Sequence, residues 1–220
     1  MQIAVYFFGI RLFLWNFVGG ILKHKRVWIK NSGNDDVVMS ILNTLLPVHR
    51  KVTHIQCLPT EYQGPTLAGK EFRYDFMCTG QDGATFIVEV ERQDDSYWFK
   101  RCVSYAARAY DKHNKKGHNY DVQPVYLIGL MGIDVPHPDP ELLGDCYITE
   151  YTFREKNCHD LLDETIFIIF AELVSFARRL EECITTQDRM IYLLKMWDGS
   201  RIVLISLSDY DTDSILARFL

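Results

Sequence analysis

The chain has 220 residues, 48% of them hydrophobic, so it can bury the core of one domain with additions or of two small ones; one domain is the expectation. With 24 Lys and Arg against 29 Asp and Glu, the formal charge is -5. This excludes a basic footprint over the whole molecule and makes any nucleic-acid surface local. Six scattered cysteines (Cys57, Cys78, Cys102, Cys146, Cys158 and Cys183) form no CxxC pair and no zinc-spaced Cys/His cluster, and they read as buried thiols of a reducing cytoplasm.

In chain order, the first segment is apolar through Leu22 and ends in Lys23, His24, Lys25 and Arg26. A signal peptide carries its positive charge ahead of the apolar run, whereas here Arg11 lies inside the run and the basic cluster follows it. The run is barely long enough to span a bilayer, and Arg11 at mid-depth would be costly. Both features favour a packed helix or a foreign extension over a membrane anchor, and residues 1–29 are set apart on that ground. "KNSGNDD" then leads into "VVMSILNTLL", whose apolar spacing predicts a helix capped by Asn34 or Asp35. "KVTHIQCL" alternates as a strand does, and "PTEYQGPTLAGK" is a Pro/Gly loop.

"YDFMCTGQDGATFIVEVERQ" reads as a hairpin. It is followed by "DDSYWFKRCVSYAARAYDKHNKKG", a helix opening on Asp or Ser and closing at Gly117. "QPVYLIGLMGI" is a continuous apolar run, as expected of a strand buried on both faces. "DCYITEYTF" and "ETIFIIFAEL" are strand-like, the second with a helical option at its end. "LVSFARRLEECITTQDRMIYLLKMW" predicts a helix broken near Thr185. No internal repeat is present, which argues against a solenoid. The order of elements implies an α/β domain with a mixed sheet.

Centring the hairpin turn on Asp82 sets Asp75 opposite Glu89. Alternation then places Tyr74, Phe76, Cys78, Phe86, Val88 and Val90 on a core face. Arg73, Asp75, Met77, Ile87, Glu89 and Glu91 fall on the other, where three carboxylates converge. Opposed like charges destabilise a sheet, so such a patch needs a cation, and Mg2+ is a hard ion suited to carboxylate oxygens. The plainer alternative is a solvent-facing sheet surface on which Arg73 neutralises Glu91. On the helix that follows, Cys102, Ala106, Ala109 and Phe99 form an apolar stripe, and Arg101, Tyr105, Arg108 and Lys112 recur on another face. With Lys100, Lys115 and Lys116 they make the most basic region of the chain, fit for phosphate contacts or, on a plainer view, a solvated face. Histidine metal sites, nucleophile elbows and Walker-type loops find no supporting spacing.

An acid on one strand, two acidic positions two apart on the next, and then a basic and aromatic helix resemble the PD-(D/E)XK nuclease superfamily. More narrowly, the segment from Phe72 to Met131 is similar to the PD-(D/E)XK nuclease family transposases, related to recombination-promoting nucleases. The carrying features are Asp75, Gly83, "IVEVE", Phe99 with Lys100 and Arg101, Tyr105, Gly117 with Tyr120, and "QPVYLIGL". "NDDVVMSILNTLLP" and, more weakly, "IFIIFAELVSF" extend the likeness to about residues 30 to 195.

The resemblance implies a restriction-endonuclease-like core, a mixed central sheet flanked by helices, over residues 30–196, with a divergent tail at 197–220. It implies that Asp75 and Glu89 ligate Mg2+, with Mn2+ as a substitute, and that Glu91 completes the catalytic set. At that position the superfamily usually has Lys and this family Gln. With that reading, the basic helix face of Lys100, Arg101, Tyr105, Arg108 and Lys112 is expected to meet DNA. The expected function is a metal-dependent, mobile-element DNA endonuclease of the cytoplasm, without a small-molecule substrate. The alternative is an inactive copy of the fold that binds DNA or a partner. Pairing of two sites in a homodimer stays open.

Overall fold

Two apolar runs and one arm of the hairpin become neighbouring parallel strands in the middle of one sheet. The computed structural model describes residues 35–62, 71–92, 96–113, 119–133, 135, 137, 139, 141 and 144–196. The expectations for residues 1–29, Asn34, Lys115, Lys116, Gly117 and the tail lie outside them. In chain order the elements are α1 (Asp35–Leu45), β1 (Ile55–Cys57), β2 (Glu61–Tyr62), β3 (Phe72–Arg73), β4 (Phe76–Gly80), β5 (Thr85–Glu91), α2 (Trp98–His113), β6 (Val125–Met131), β7 (Ile148–Tyr151), β8 (Ile166–Glu172), a 3-10 turn (Leu180–Glu182) and α3 (Thr186–Met196). Of the described residues, 35–175 belong to one compact unit and 176–196 to another.

In the first unit six strands form a sheet in the order β1-β4-β5-β6-β8-β7, and β2 and β3 pair separately. β5, β6 and β8 run parallel, whereas β1, β4 and β7 join antiparallel. This is the mixed sheet the sequence implied. All seven residues of β6 are buried, as expected of a central parallel strand covered on both faces. β8 stays extended to Glu172, without the helical turn at its end.

The hairpin register is the expected one, pairing Phe76 with Val88, Met77 with Ile87 and Cys78 with Phe86. The turn closes through Gly80 N–H to the Ala84 carbonyl at 2.9 Å and Gly83 N–H to the Gly80 carbonyl at 3.1 Å. Gly83 takes a φ of 82°, the left-handed region that glycine enters without a Cβ penalty.

The two-face reading of the hairpin needs correction. Met77 and Ile87, placed on the polar face, are buried with Trp98, Cys102, Ala106 and Ala109 of α2. Tyr74 joins that same cluster rather than the opposite face, since it precedes β4 and need not follow its alternation. On the opposite face Phe86, Tyr126 and Phe167 lie in register and stack at 5.6 and 4.7 Å. Arg50 covers Tyr126 at 5.1 Å from the ring centroid and donates to its hydroxyl at 3.0 Å. Both faces of the hairpin are therefore core.

The long helix expected from Leu173 does not begin there. Residues 177–179 are irregular, Leu180–Glu182 form only a 3-10 turn, and α3 starts at Thr186. The cause is a reciprocal cap: Asp188 N–H donates to Thr185 Oγ1 at 3.0 Å, and Thr185 N–H donates to Asp188 Oδ2 at 3.1 Å. Such a cap fixes a helix start, so the break near Thr185 becomes a beginning.

Gly129 is where α2 meets the sheet most closely. A Cβ there would stand 2.7 Å from Phe170 Cδ1 and 3.1 Å from Trp98 Cζ2. Because these are rings in a packed core, Gly129→Ala is predicted to destabilise by about 1–3 kcal/mol. Denaturant unfolding of the variant against the parent checks this.

Candidate active site

The site lies where the hairpin leaves the sheet, at the C-terminal end of β5. One more step in the hairpin register brings Asp75 opposite Glu89, and the two are tied by crossed hydrogen bonds. Asp75 N–H donates to Glu89 Oε1 at 3.0 Å, and Val90 N–H donates to Asp75 Oδ2 at 3.1 Å. Each side chain thus caps the backbone of the other strand just past the last ladder pair. Glu89 is 4% exposed, and a carboxylate so deeply placed keeps its charge only if its oxygens are satisfied.

Three neighbouring groups are shifted, first by their own burial and second by Glu89. Desolvation and then the charge of Glu89 raise the Tyr105 phenol above its usual range, with Arg101 opposing. Tyr74 and the Cys102 thiol are pushed up for the same two leading reasons. Tyr105 therefore remains a hydrogen-bond donor at neutral pH, close to the carboxylates. Its ring packs on Tyr74 at 5.0 Å and on Phe72 at 5.7 Å.

Glu91 continues the same face but turns away from that pair. Its Oε2 receives Arg101 Nη2 at 2.5 Å, and its Oε1 receives the Arg92 N–H at 2.9 Å. The solvent-facing alternative fails on both counts: Glu91 is 8% exposed, and Arg73 pairs with Glu71 at 3.1 Å instead. Among the described residues no three His, Cys, Asp or Glu side chains form a group able to hold a metal ion. Asp75 and Glu89 nevertheless match the donor set of Mg2+, which is commonly held by one or two carboxylates with the remaining oxygens from water and substrate phosphate.

The cations expected on α2 do not project freely. Lys100 lies over Tyr97 at 5.9 Å, Arg101 over Trp98 at 4.7 Å, Arg108 over Phe72 at 5.9 Å, and Lys112 over Tyr62 at 3.6 Å. Arg108 also meets Asp111 at 3.5 Å. Aromatic faces hold each charged head in place along the helix. Cys102, Ala106 and Ala109 form the buried stripe as predicted. Phe99 does not join it, being 41% exposed with its ring against Phe170; Trp98 occupies the place instead.

A further buried acid, Glu172, went unread in the sequence. Glu172 ends β8 in register with Met131 and Glu91, so the three side chains share a face. Its carboxylate meets His137 Nε2 at 2.9 Å and Ser175 Oγ at 3.3 Å. An acid closing the apolar run "IFIIFAE" was the available signal. Two strand spacings, about 10 Å, separate its backbone from that of Glu91.

A model of the PD-(D/E)XK nuclease family transposases matches residues 23–207 of the chain. The chain belongs to that family. The mixed sheet with its flanking helices is consistent with the nuclease fold of the family, whose members generally use divalent metals and act on DNA. No curated protein and no solved structure matches it. Among the described residues no helix is long and apolar enough to cross a membrane.

The raised phenols of Tyr74 and Tyr105 have a consequence at high pH. Their folded-state values lie above the unfolded value of about 10, so the native state keeps protons that the unfolded chain loses. Stability is predicted to be intact below about pH 10 and to fall as pH rises through the folded values. In Glu89→Gln the Tyr105 midpoint is predicted to move down, because the neighbouring charge is gone. Phenolate absorbance during alkaline titration measures both effects.

Proposed function

We propose that the protein is a metal-dependent DNA endonuclease of mobile-element type, with Asp75 and Glu89 as the pair that holds the divalent ion. The observation that carries this reading is the crossed hydrogen bonding of Asp75 and Glu89 at the strand positions where a member of this family is expected to carry its metal ligands. The backbone N–H groups of Asp75 and Val90 orient one oxygen of each carboxylate and so fix the direction of the rest of the group. When bound, a divalent ion would activate water for attack on phosphorus and stabilise the departing oxygen.

The remaining residues position the substrate. Arg101, Arg108 and Lys112 recur along one side of α2, with about 10 Å of helix rise from Arg101 to Arg108 and about 6 Å from Arg108 to Lys112. A row of cations at this spacing suits the sugar-phosphate backbone of a strand led toward Asp75. Lys100 adds charge at the start of the helix. Tyr105, on the same helix and kept as a phenol, offers a donor to a phosphate oxygen. The protein thus supplies positioning and charge neutralisation, which provide most of the catalysis in phosphoryl transfer.

A second reading is an inactive copy of the fold that binds DNA without cutting it; the engagement of Glu91 by Arg101, in place of the Lys or Gln expected at that position, favours it. Nicking of supercoiled plasmid separates the two. Under the nuclease reading the purified protein nicks in Mg2+ or Mn2+, stops in EDTA, and loses at least about a hundredfold in rate on Glu89→Ala. A folded protein that binds plasmid in a salt-sensitive manner and nicks under none of these conditions supports the second reading.

A further inference from the structure

We infer that Glu91 is a positioning residue whose task is to hold Arg101, and that Arg101 is the cation that meets the scissile phosphate. This rests on the nuclease reading above.

Asp75 and Glu89 place two negative charges where an anionic phosphodiester would have to approach. A third acid two residues beyond Glu89 on the same strand face would deepen the repulsion unless its charge were used elsewhere. It is used on Arg101. Glu91 Oε2 lies 2.5 Å from Arg101 Nη2, and Oε1 accepts the Arg92 N–H, so both oxygens are engaged. That engagement leaves Glu91 poorly suited to act as a base.

The guanidinium is fixed from three directions. It rises from the first turn of α2, is gripped by Glu91, and lies over Trp98 at 4.7 Å. Trp98 is itself 1% exposed and wedged between Gly129 and Phe170, so the plane beneath the guanidinium is part of the core. The Arg101 side chain keeps 29% exposure against 10% for Glu91. Arg101 is thus the more exposed partner of the pair and Glu91 the buried one. A guanidinium is a planar fork of N–H donors whose geometry suits phosphate. Lys100, the neighbouring cation, lies over Tyr97 rather than against the carboxylates.

The test uses the full chain and the variants Glu91→Gln, Arg101→Gln, Arg101→Lys and the double Glu91→Gln/Arg101→Gln. Three quantities are read: kcat and KM for plasmid nicking in Mn2+, Mn2+ affinity of the DNA-free protein by titration calorimetry, and thermal melting. Arg101→Gln is expected to lower kcat by about 10² to 10³, the range for losing one transition-state donor, with Mn2+ affinity unchanged. Glu91→Gln should cost less, again with Mn2+ affinity unchanged, and Arg101→Lys should recover part of the rate. In the Arg101→Gln background, Glu91→Gln should cost nothing further, because a residue that acts only through Arg101 has nothing left to position. Arg101→Gln alone leaves a buried acid without its partner, so the double variant is the folding-safe comparison.

The inference is overturned if Glu91→Gln weakens Mn2+ binding as Glu89→Gln does, which would make it a ligand. It is overturned equally if the kinetic cost of Glu91→Gln persists in the Arg101→Gln background, which would make it act directly. A wild-type protein that binds Mn2+ but nicks no DNA contradicts the nuclease reading instead. The affinities of Glu91→Gln and Glu89→Gln then still decide whether Glu91 belongs with the ligands.

Discussion

The organisation of this protein turns on a carboxyl group placed inside a core. Glu89 sits near the end of a central strand, 4% exposed, where an unsatisfied acid would be costly. What offsets that cost is local and structural. The strand that precedes it turns so that the Asp75 N–H reaches its oxygen, and the same turn aims the Asp75 carboxylate at Val90. The hairpin register, the glycine turn that sets it, and the departure of the chain at Asp75 all serve this arrangement.

The helix that follows closes the structure over the acids and brings the compensating charge. Its buried stripe seats on β5, β6 and β8, and seating it requires Gly129, since a side chain there would collide with two rings. Once seated, the helix delivers Arg101 to Glu91 and lays a row of cations over aromatic faces. Packing and electrostatics are here one constraint, because the ring that fills the core also supports the guanidinium. In a chain with a formal charge of -5, this is how a local cationic surface can exist.

Much of this was legible in the sequence because it depends on short-range rules. The period-2 pattern and the Gly turn gave the hairpin register to the residue, and with it the opposition of Asp75 and Glu89. The continuous apolar runs marked the buried strands, and the spacing of Cys102, Ala106 and Ala109 marked the seated face of α2. What was not legible depends on non-local packing. Alternation assigns two faces to a hairpin but cannot say that both are covered, so Met77 and Ile87 read as neighbours of a polar patch when they are core. Arg73 and Arg101 are equally plausible partners for Glu91 until the path of α2 is known. The meeting of His137 with Glu172 and the wedge of Trp98 against Gly129 likewise join residues far apart in the chain. Around Thr185 the capping residues were visible, but periodicity alone made them a break in one helix rather than the start of another.

The central claim is that Asp75 and Glu89, without Glu91, are the protein's hold on a divalent ion. Anomalous diffraction from crystals of the full chain grown with Mn2+ tests it most directly. The account predicts a manganese peak at coordination distance from one oxygen of Asp75 and one of Glu89, with Glu91 still on Arg101. A peak that includes Glu91 with Arg101 displaced, or a peak elsewhere with these two carboxylates bare, would contradict it.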